Sequence, residues 1–165
     1  MFTSRLHIQQ VTFPLDEQAD WLNDPRNTEF SEQRHHHHDK ASCAKYIAEC
    51  SVFWGIQEID SGEWIGTASA FIDEHNEVAD VGILIHWEYA GKGYGKEAWG
   101  RICDFLLESR GLRKVEAGCM ATNKPMRRLA ESAGMVLDGE RKNHFLSKEG
   151  HPVGMLMYAK WPKGR

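Results

Sequence analysis

A chain of 165 residues with 41% hydrophobic and 27% charged side chains has the make-up of one globular domain, 1–165, which excludes a disordered or low-complexity protein. A net charge of −4 and a pI of about 6.1 exclude nucleic-acid binding through bulk positive charge. No apolar run reaches the ~20 residues that span a bilayer, and Arg5, His7, Gln9 and Gln10 interrupt any leading apolar segment, so no membrane contact and a cytoplasmic location are expected.

In chain order, residues 3–12 read as a first strand and 15–23 as a short helix around Leu15, Ala19, Trp21 and Leu22, ended by Asn23-Asp24-Pro25. Residues 26–39 are polar and lack periodicity. A second helix is expected from about Lys40 to Cys50, with Ala44, Ile47 and Ala48 as its apolar stripe. Strands at 51–59 and 63–72 are joined by Asp60-Ser61-Gly62, a hairpin signal. The polar turn 73–76 leads to a β-branched run, Val81, Ile83, Leu84 and Ile85, that reads as a buried strand.

A loop with Gly91, Gly93 and Gly95 follows this strand, and then a helix in which Ala98, Trp99, Ile102, Cys103, Phe105 and Leu106 recur at helical spacing, with Gly111 as its stop. Residues 113–120 read as a fifth strand and Asn123 to about Ala133 as a helix, with Met126, Leu129, Ala130 and Ala133 on one face and Gly134 as its stop. Strands at 135–147 and 152–161 flank the turn 148–151 and close the chain. The expectation is an α/β (α+β) domain: a mixed, mostly antiparallel central sheet of about seven strands flanked by about four helices.

Strand, glycine loop and helix form a phosphate-holding arrangement. Glycines let a ligand approach the backbone, and the first helical turn presents unpaired N–H groups with a partial positive charge. The loop lacks the Gly-Lys-Ser/Thr ending of a Walker A motif, and it follows hairpin-linked strands instead of opening a first βαβ unit, so neither nucleotide fingerprint applies.

Ile83 to Gly95, ILIHWEYAGKGYG, resembles motif A of the GCN5-related N-acetyltransferases, the GNAT family, and the element order of the chain resembles theirs. Asn123 to Met135, NKPMRRLAESAGM, together with Leu137-Asp138-Gly139-Glu140-Arg141 and Met157-Tyr158-Ala159, is similar to the RimJ/RimL-like branch. The resemblance covers about residues 50–160. It implies a GNAT-like sheet and acetyl-CoA as co-substrate, with the pyrophosphate on Gly91, Lys92, Gly93, Tyr94, Gly95 and Lys96, the pantetheine along Ile83, Leu84 and Ile85, and Asn123 on the cofactor arm. This sequence departs from the pattern at Ala90 (usually Gln or Arg), at Met126 (usually Ser) and at Ala130, where a proton-donating tyrosine is often found.

Acetyl transfer needs a neutral amine, and therefore a base, with an acid for the departing thiolate. A backbone N–H near Ile85 could hold the oxyanion. Candidates are Glu116, on one strand face with Gly118 and Met120; His86, an imidazole beside the loop that shares a strand face with Asp80; and Tyr158 as the acid. Each has a plain structural alternative: an ion pair of Glu116 with Lys114 or Arg141, a water-exposed His86, a packed Tyr158 with a satisfied hydroxyl.

The run Arg34-His35-His36-His37-His38-Asp39 lacks the spaced ligand pairs of a structural metal site, and the four cysteines have no CxxC spacing, so reduced thiols and no metal are expected. By the resemblance this segment walls the acceptor pocket, where Arg34, the four histidines His35, His36, His37 and His38, and Lys40 could favour a small-molecule amine that carries an anionic group such as a carboxylate or phosphate. It could equally be a solvated loop. The expected function is N-acetylation of a small-molecule primary amine such as an amino acid or amino sugar; the alternatives are protein N-terminal or lysine acetylation of RimJ/RimL type and a non-catalytic coenzyme A-binding module. A homodimer is compatible with all three.

Overall fold

The computed structural model describes residues 1–164. Seven strands form one sheet: β1 (Leu6–Gln10), β2 (Val52–Glu58), β3 (Trp64–Asp73), β4 (Val78–Ile85), β5 (Lys114–Met120), β6 (Val136–Leu146) and β7 (Pro152–Lys160). Their spatial order is β1-β2-β3-β4-β5-β7-β6. All neighbours are antiparallel except β4 and β5, which are parallel.

Five α-helices cover the two faces. On one side lie α1 (Gln18–Asn23), α2 (Pro25–Thr28) and α3 (Lys40–Glu49); on the other lie α4 (Tyr94–Asp104) and α5 (Lys124–Ser132). The main core sits beneath α4 and α5, where Ala98, Trp99, Ile102 and Ala130 pack on Ala79, Val81, Val115 and Ala117. A smaller cluster of Val11, Ile47 and Phe53 sits beneath α3. Burial of these side chains stabilises the fold at about 25 cal/mol per Å² of apolar surface, so the larger cluster dominates.

The expected elements form, with informative shifts. The central strand begins at Val78, three residues before its β-branched run, because Glu77 takes a left-handed φ of 54° and turns the chain into the sheet. In α3 the inward residues are Cys43 and Ile47, spaced i,i+4, while Ala44 and Ala48 face solvent; the Asp39–Ser42 capping box sets that phase. The aperiodic segment 26–39 holds α2 and a 3₁₀ turn, Glu32–His35. These short helices are held by the caps Asp24 and Ser31 and by Pro25 at the first helical position, not by an apolar stripe.

After Asp104 the long helix widens into a π turn, Phe105–Ser109, in which the Arg110 N–H donates to the Phe105 carbonyl at 2.9 Å. At the outer edge, β6 is exposed along almost its whole length. Its pairing with β7 slips between Arg141 and Phe145, where Asn143 adopts φ 51°.

Candidate active site

The two halves of the sheet come apart at its centre. β4 and β5 pair only at Val78–Lys114, Ala79–Val115 and Asp80–Glu116. Beyond Asp80, β4 runs on to Ile85 with β3 on one side and, among the described residues, no strand on the other. The His86 N–H donates to the Ile65 carbonyl at 2.9 Å. In an antiparallel ladder this turns the peptide groups of even-numbered residues, Leu84 included, toward β3 and those of Ile83 and Ile85 toward the gap.

The glycine loop lies at the far end of that gap. Gly91 and Gly93 have φ of 75° and 85°, backbone that a side chain would strain. Gly93 is the N-cap of α4, and the first intrahelical bond there is from the Glu97 N–H to the Gly93 carbonyl. The N–H groups of Tyr94, Gly95 and Lys96 are thus left without a helical acceptor. Lys92 lies 5.4 Å from the Tyr89 ring and Lys96 is exposed.

Side chains from outside hold the loop in place. Tyr94 hydrogen-bonds Glu58, and Tyr89 donates to Glu63 at 2.5 Å, which pushes the Tyr89 phenol up to about 12. The Arg5 guanidinium stacks on the Tyr94 ring at 4.4 Å, donates to the Lys92 carbonyl at 3.0 Å and pairs with Glu97 at 2.8 Å. Burial alone would raise the Glu97 pKa, but hydrogen bonds from Thr3, Arg5 and Ser4 outweigh it and hold the carboxyl below its usual value. Nothing in the sequence signalled that Arg5 would reach this loop, which lies 87 residues away.

On the opposite side of the sheet a cavity of about 450 Å³ opens between α1, α3 and the strand face. Its floor is Thr67, Ser69, Gly82, Ile83 and Leu84, and its walls include Gln18, Gln33, His36, His37, His38 and Tyr46. Glycine at 82 keeps the floor open, since a β-carbon there would stand 3.2 Å from Ser69 Oγ. Tyr46 Oη lies 3.0 Å from Ser69 Oγ, and burial raises the Tyr46 pKa, so the phenol stays protonated at neutral pH.

Of the histidine run, His36, His37 and His38 line the cavity. His35 points to solvent and sits 3.5 Å from Glu32, and Lys40 caps a separate small recess with Phe13 and Trp64. Arg34 does not line the cavity either. Its guanidinium donates to the carbonyls of Glu29, Ser31 and Leu146 and contacts Met120 Sδ at 3.7 Å, bridging the 3₁₀ turn to the end of β6. Among the described residues no group of histidine, cysteine and carboxylate side chains could hold a metal ion. All four cysteines are free.

Glu116, His86 and Tyr158 occupy three different settings, none of them in the cavity wall. Glu116 is bonded to Lys114 at 2.8 Å, and Lys114 also holds Asp138 at 2.7 Å. His86 caps a 3₁₀ turn at Trp87–Tyr89 and lies against the Trp21, Trp87 and Tyr89 rings. Tyr158 is buried on the α5 face and donates to Glu131 at 3.1 Å. Asn123 caps α5 by accepting the Met126 N–H. On the face of β5 that carries Glu116, Met155 and Met157 fill the space over Gly118.

Asp80 is the carboxylate at the fork. It shares a strand face with Gly82 and Leu84 of the cavity floor, and it lies beside Glu116 in the last pair before the strands part. Burial, and then the Glu116 charge, raise its pKa above the ordinary aspartate value. The residue is nonetheless exposed to solvent, so water screens much of that shift and leaves it as an upward direction only.

The family model described as an acetyltransferase (GNAT) domain matches residues 5–136. The chain is 25% identical over 118 residues to the uncharacterized N-acetyltransferase YoaA of Bacillus subtilis (strain 168), covering 70% of this chain and 66% of that protein. It spans 66% and 57% of the lengths of the curated relatives it matches. Among solved structures, RimL, a ribosomal L7/L12 α-N-protein acetyltransferase in complex with coenzyme A, superposes with a TM-score of 0.81 at 14% identity, covering 99% of this chain and 97% of that one. A chimera of the spermidine N-acetyltransferase SpeG from Vibrio cholerae and hSSAT gives 0.80 at 15% identity and 96% coverage of both chains. At those identities the two structures establish a shared fold.

Proposed function

The chain belongs to the GNAT acetyltransferase family, and from that premise we propose that it is an acetyl-CoA-dependent N-acetyltransferase acting on the primary amine of a small molecule. One observation carries the reading: Gly82, Ile83 and Leu84 belong both to the unpaired stretch of β4 and to the cavity floor. A cofactor arm laid along the gap on one side and an amine in the cavity on the other would meet at this stretch.

The residues fit the cofactor. Peptide groups of Ile83 and Ile85 would pair with the pantetheine amides as a neighbouring strand would. The N–H groups of Tyr94, Gly95 and Lys96, approached over Gly91 and Gly93, would hold the pyrophosphate, with Lys92 and Lys96 adding charge. Ala90 costs little in this scheme, because the holding groups are backbone. Asn123 fixes the start of α5 beside the arm. Acetyl-CoA supplies an activated acyl group: the amine nitrogen bonds to the acyl carbon as the C–S bond breaks, and coenzyme A departs as the thiol once a proton is returned to it.

The proton leaving the amine goes to Asp80. A carboxylate at the fork, with its pKa raised, is a better base than one at its ordinary value. Glu116, held by Lys114, stands beside Asp80 and contributes to that shift. His86 and Tyr158 take structural parts, as a turn cap beside the aromatic cluster and as a tie to α5.

The Arg34 bridge to Leu146 supports a small acceptor over a protein terminus, because it crosses the path an extended peptide would follow between the 3₁₀ turn and β6. The test is calorimetry of acetyl-CoA with wild type and Gly93→Asp, followed by thiol release with an amine panel. Wild type binds, and the variant loses at least roughly tenfold in affinity, since a carboxylate then stands where phosphate is held. Equal affinity would overturn the cofactor assignment, and binding without turnover of any amine would favour a coenzyme A-binding module.

A further inference from the structure

We propose that the acceptor is a polyhydroxylated primary amine of the amino-sugar class with no charge beyond that of its amine, not a polyamine or an acidic amino acid. This rests on the acetyltransferase reading above and comes from the chemistry of the cavity wall. Among the described residues that line the 450 Å³ cavity there is no aspartate, glutamate, lysine or arginine. A polyamine would bring in at least one ammonium beyond the reacting one, and placing it against this wall without a carboxylate is strongly unfavourable. An acidic acceptor needs a fixed cation. The basic side chains on the wall are the imidazoles of His36, His37 and His38. His38 Nε2 is taken up by the Gln33 carbonyl at 3.1 Å, and His36 and His37 are exposed, so none is held as a buried cation. The Arg34 guanidinium is bonded to three carbonyls of the protein.

The wall offers neutral hydrogen-bonding groups in fixed positions. Gln18 is 3% exposed, and its Oε1 accepts the Leu15 N–H at 3.3 Å. That bond orients the amide and leaves its Nε2, among the described residues, with no protein acceptor in a side chain that lines the cavity. Thr67 is also buried in the floor, with no side-chain bond to protein among the described residues. Tyr46 and Ser69 are paired with each other, which still leaves acceptor lone pairs on both oxygens. Phe53 and Leu84 supply apolar surface between these groups.

Such a wall matches a ring with several hydroxyls, each able to donate and accept, and a cavity of this size accommodates a monosaccharide with its substituents. Gln18 Nε2, which no protein acceptor meets among the described residues, favours acceptors that bring a hydroxyl to pair with it. The single amine is then the only group whose charge must be removed, and Asp80 at the fork serves for that.

The experiment measures thiol release with glucosamine, spermidine and glutamate as separate acceptors, for wild type, Gln18→Leu and Thr67→Val, with acetyl-CoA affinity measured independently by calorimetry. The expected wild-type kcat/KM for glucosamine exceeds that for spermidine and for glutamate by at least tenfold. Each substitution is expected to raise the glucosamine KM by roughly tenfold, the loss of about one hydrogen bond, with acetyl-CoA affinity unchanged. Spermidine or glutamate turned over as well as glucosamine would overturn the assignment. So would an unchanged glucosamine KM in both variants, or acetyl-CoA binding without glucosamine turnover. Absence of acetyl-CoA binding would instead overturn the reading on which the proposal rests.

Discussion

Asp80 on β4 and Glu116 on β5 stand side by side in the last residue pair before the two strands separate. Lys114 bonds to Glu116, and among the described residues Asp80 has no ion-pair partner. Packing at the fork and the neighbouring charge both act against ionisation of Asp80, an effect screened by its exposure to solvent.

Asp80→Asn is therefore expected to lower kcat by roughly 10²-fold and to remove the acidic limb of the pH–rate profile, with acetyl-CoA affinity unchanged. Stability should move the other way. A carboxyl whose folded pKa is raised contributes stability at low pH that is lost as pH rises through that pKa. The variant should melt higher than wild type at neutral pH, and the difference should vanish once pH falls below about 4. A variant with full activity would remove Asp80 as the base.

Arg34→Ala breaks the bridge between the 3₁₀ turn and Leu146. Activity toward N-terminal peptides should rise relative to that toward small amines by roughly fivefold, as the path beside β6 opens. Competition assays with both acceptors check this. A wild-type enzyme that already prefers peptides would show that the bridge is no barrier.

Arg5→Ala removes the stacking on Tyr94 and the bonds to Glu97 and the Lys92 carbonyl. The Arg5 side chain is 44% exposed, so the cost in stability is expected to be small. Acetyl-CoA affinity should fall about fivefold through loss of loop preorganisation, with acceptor KM unchanged. Glu97→Gln isolates the charge. The Glu97 pKa is depressed, so its stabilisation is present above the ordinary carboxylate range and lost as pH falls through the folded pKa. Denaturation midpoints of wild type and Glu97→Gln should converge on acidification.

Trp99 is fully buried beneath α4, and its indole N–H points at Met135 Sδ at 3.3 Å. Trp99→Ala should cost roughly 3–5 kcal/mol of unfolding free energy, read by chemical denaturation.

The glycine loop and the helix starts beside it were legible in the sequence because their determinants are local. Glycine spacing at 91, 93 and 95, the helical stripe after it and the Asn123 cap all lie within or beside the elements they shape. The acceptor side is assembled from distant pieces: Arg34 meets Leu146 across 112 residues and Asn27 meets Trp87 across 60. Strand parity places Asp80 on the right face, but only the parallel register of β4 and β5 brings Glu116 next to it. Gln18 reads as an ordinary helix-start residue until the Leu15 N–H and the cavity are seen together.

The slip at Asn143 bears on how the molecule behaves in a crowded solution. An exposed outer strand is a template on which another chain can grow. In β6 the left-handed kink divides that template into two short, misaligned runs. A second molecule pairing along the whole edge would have to follow that kink, which disfavours in-register growth of the sheet from copy to copy at this strand.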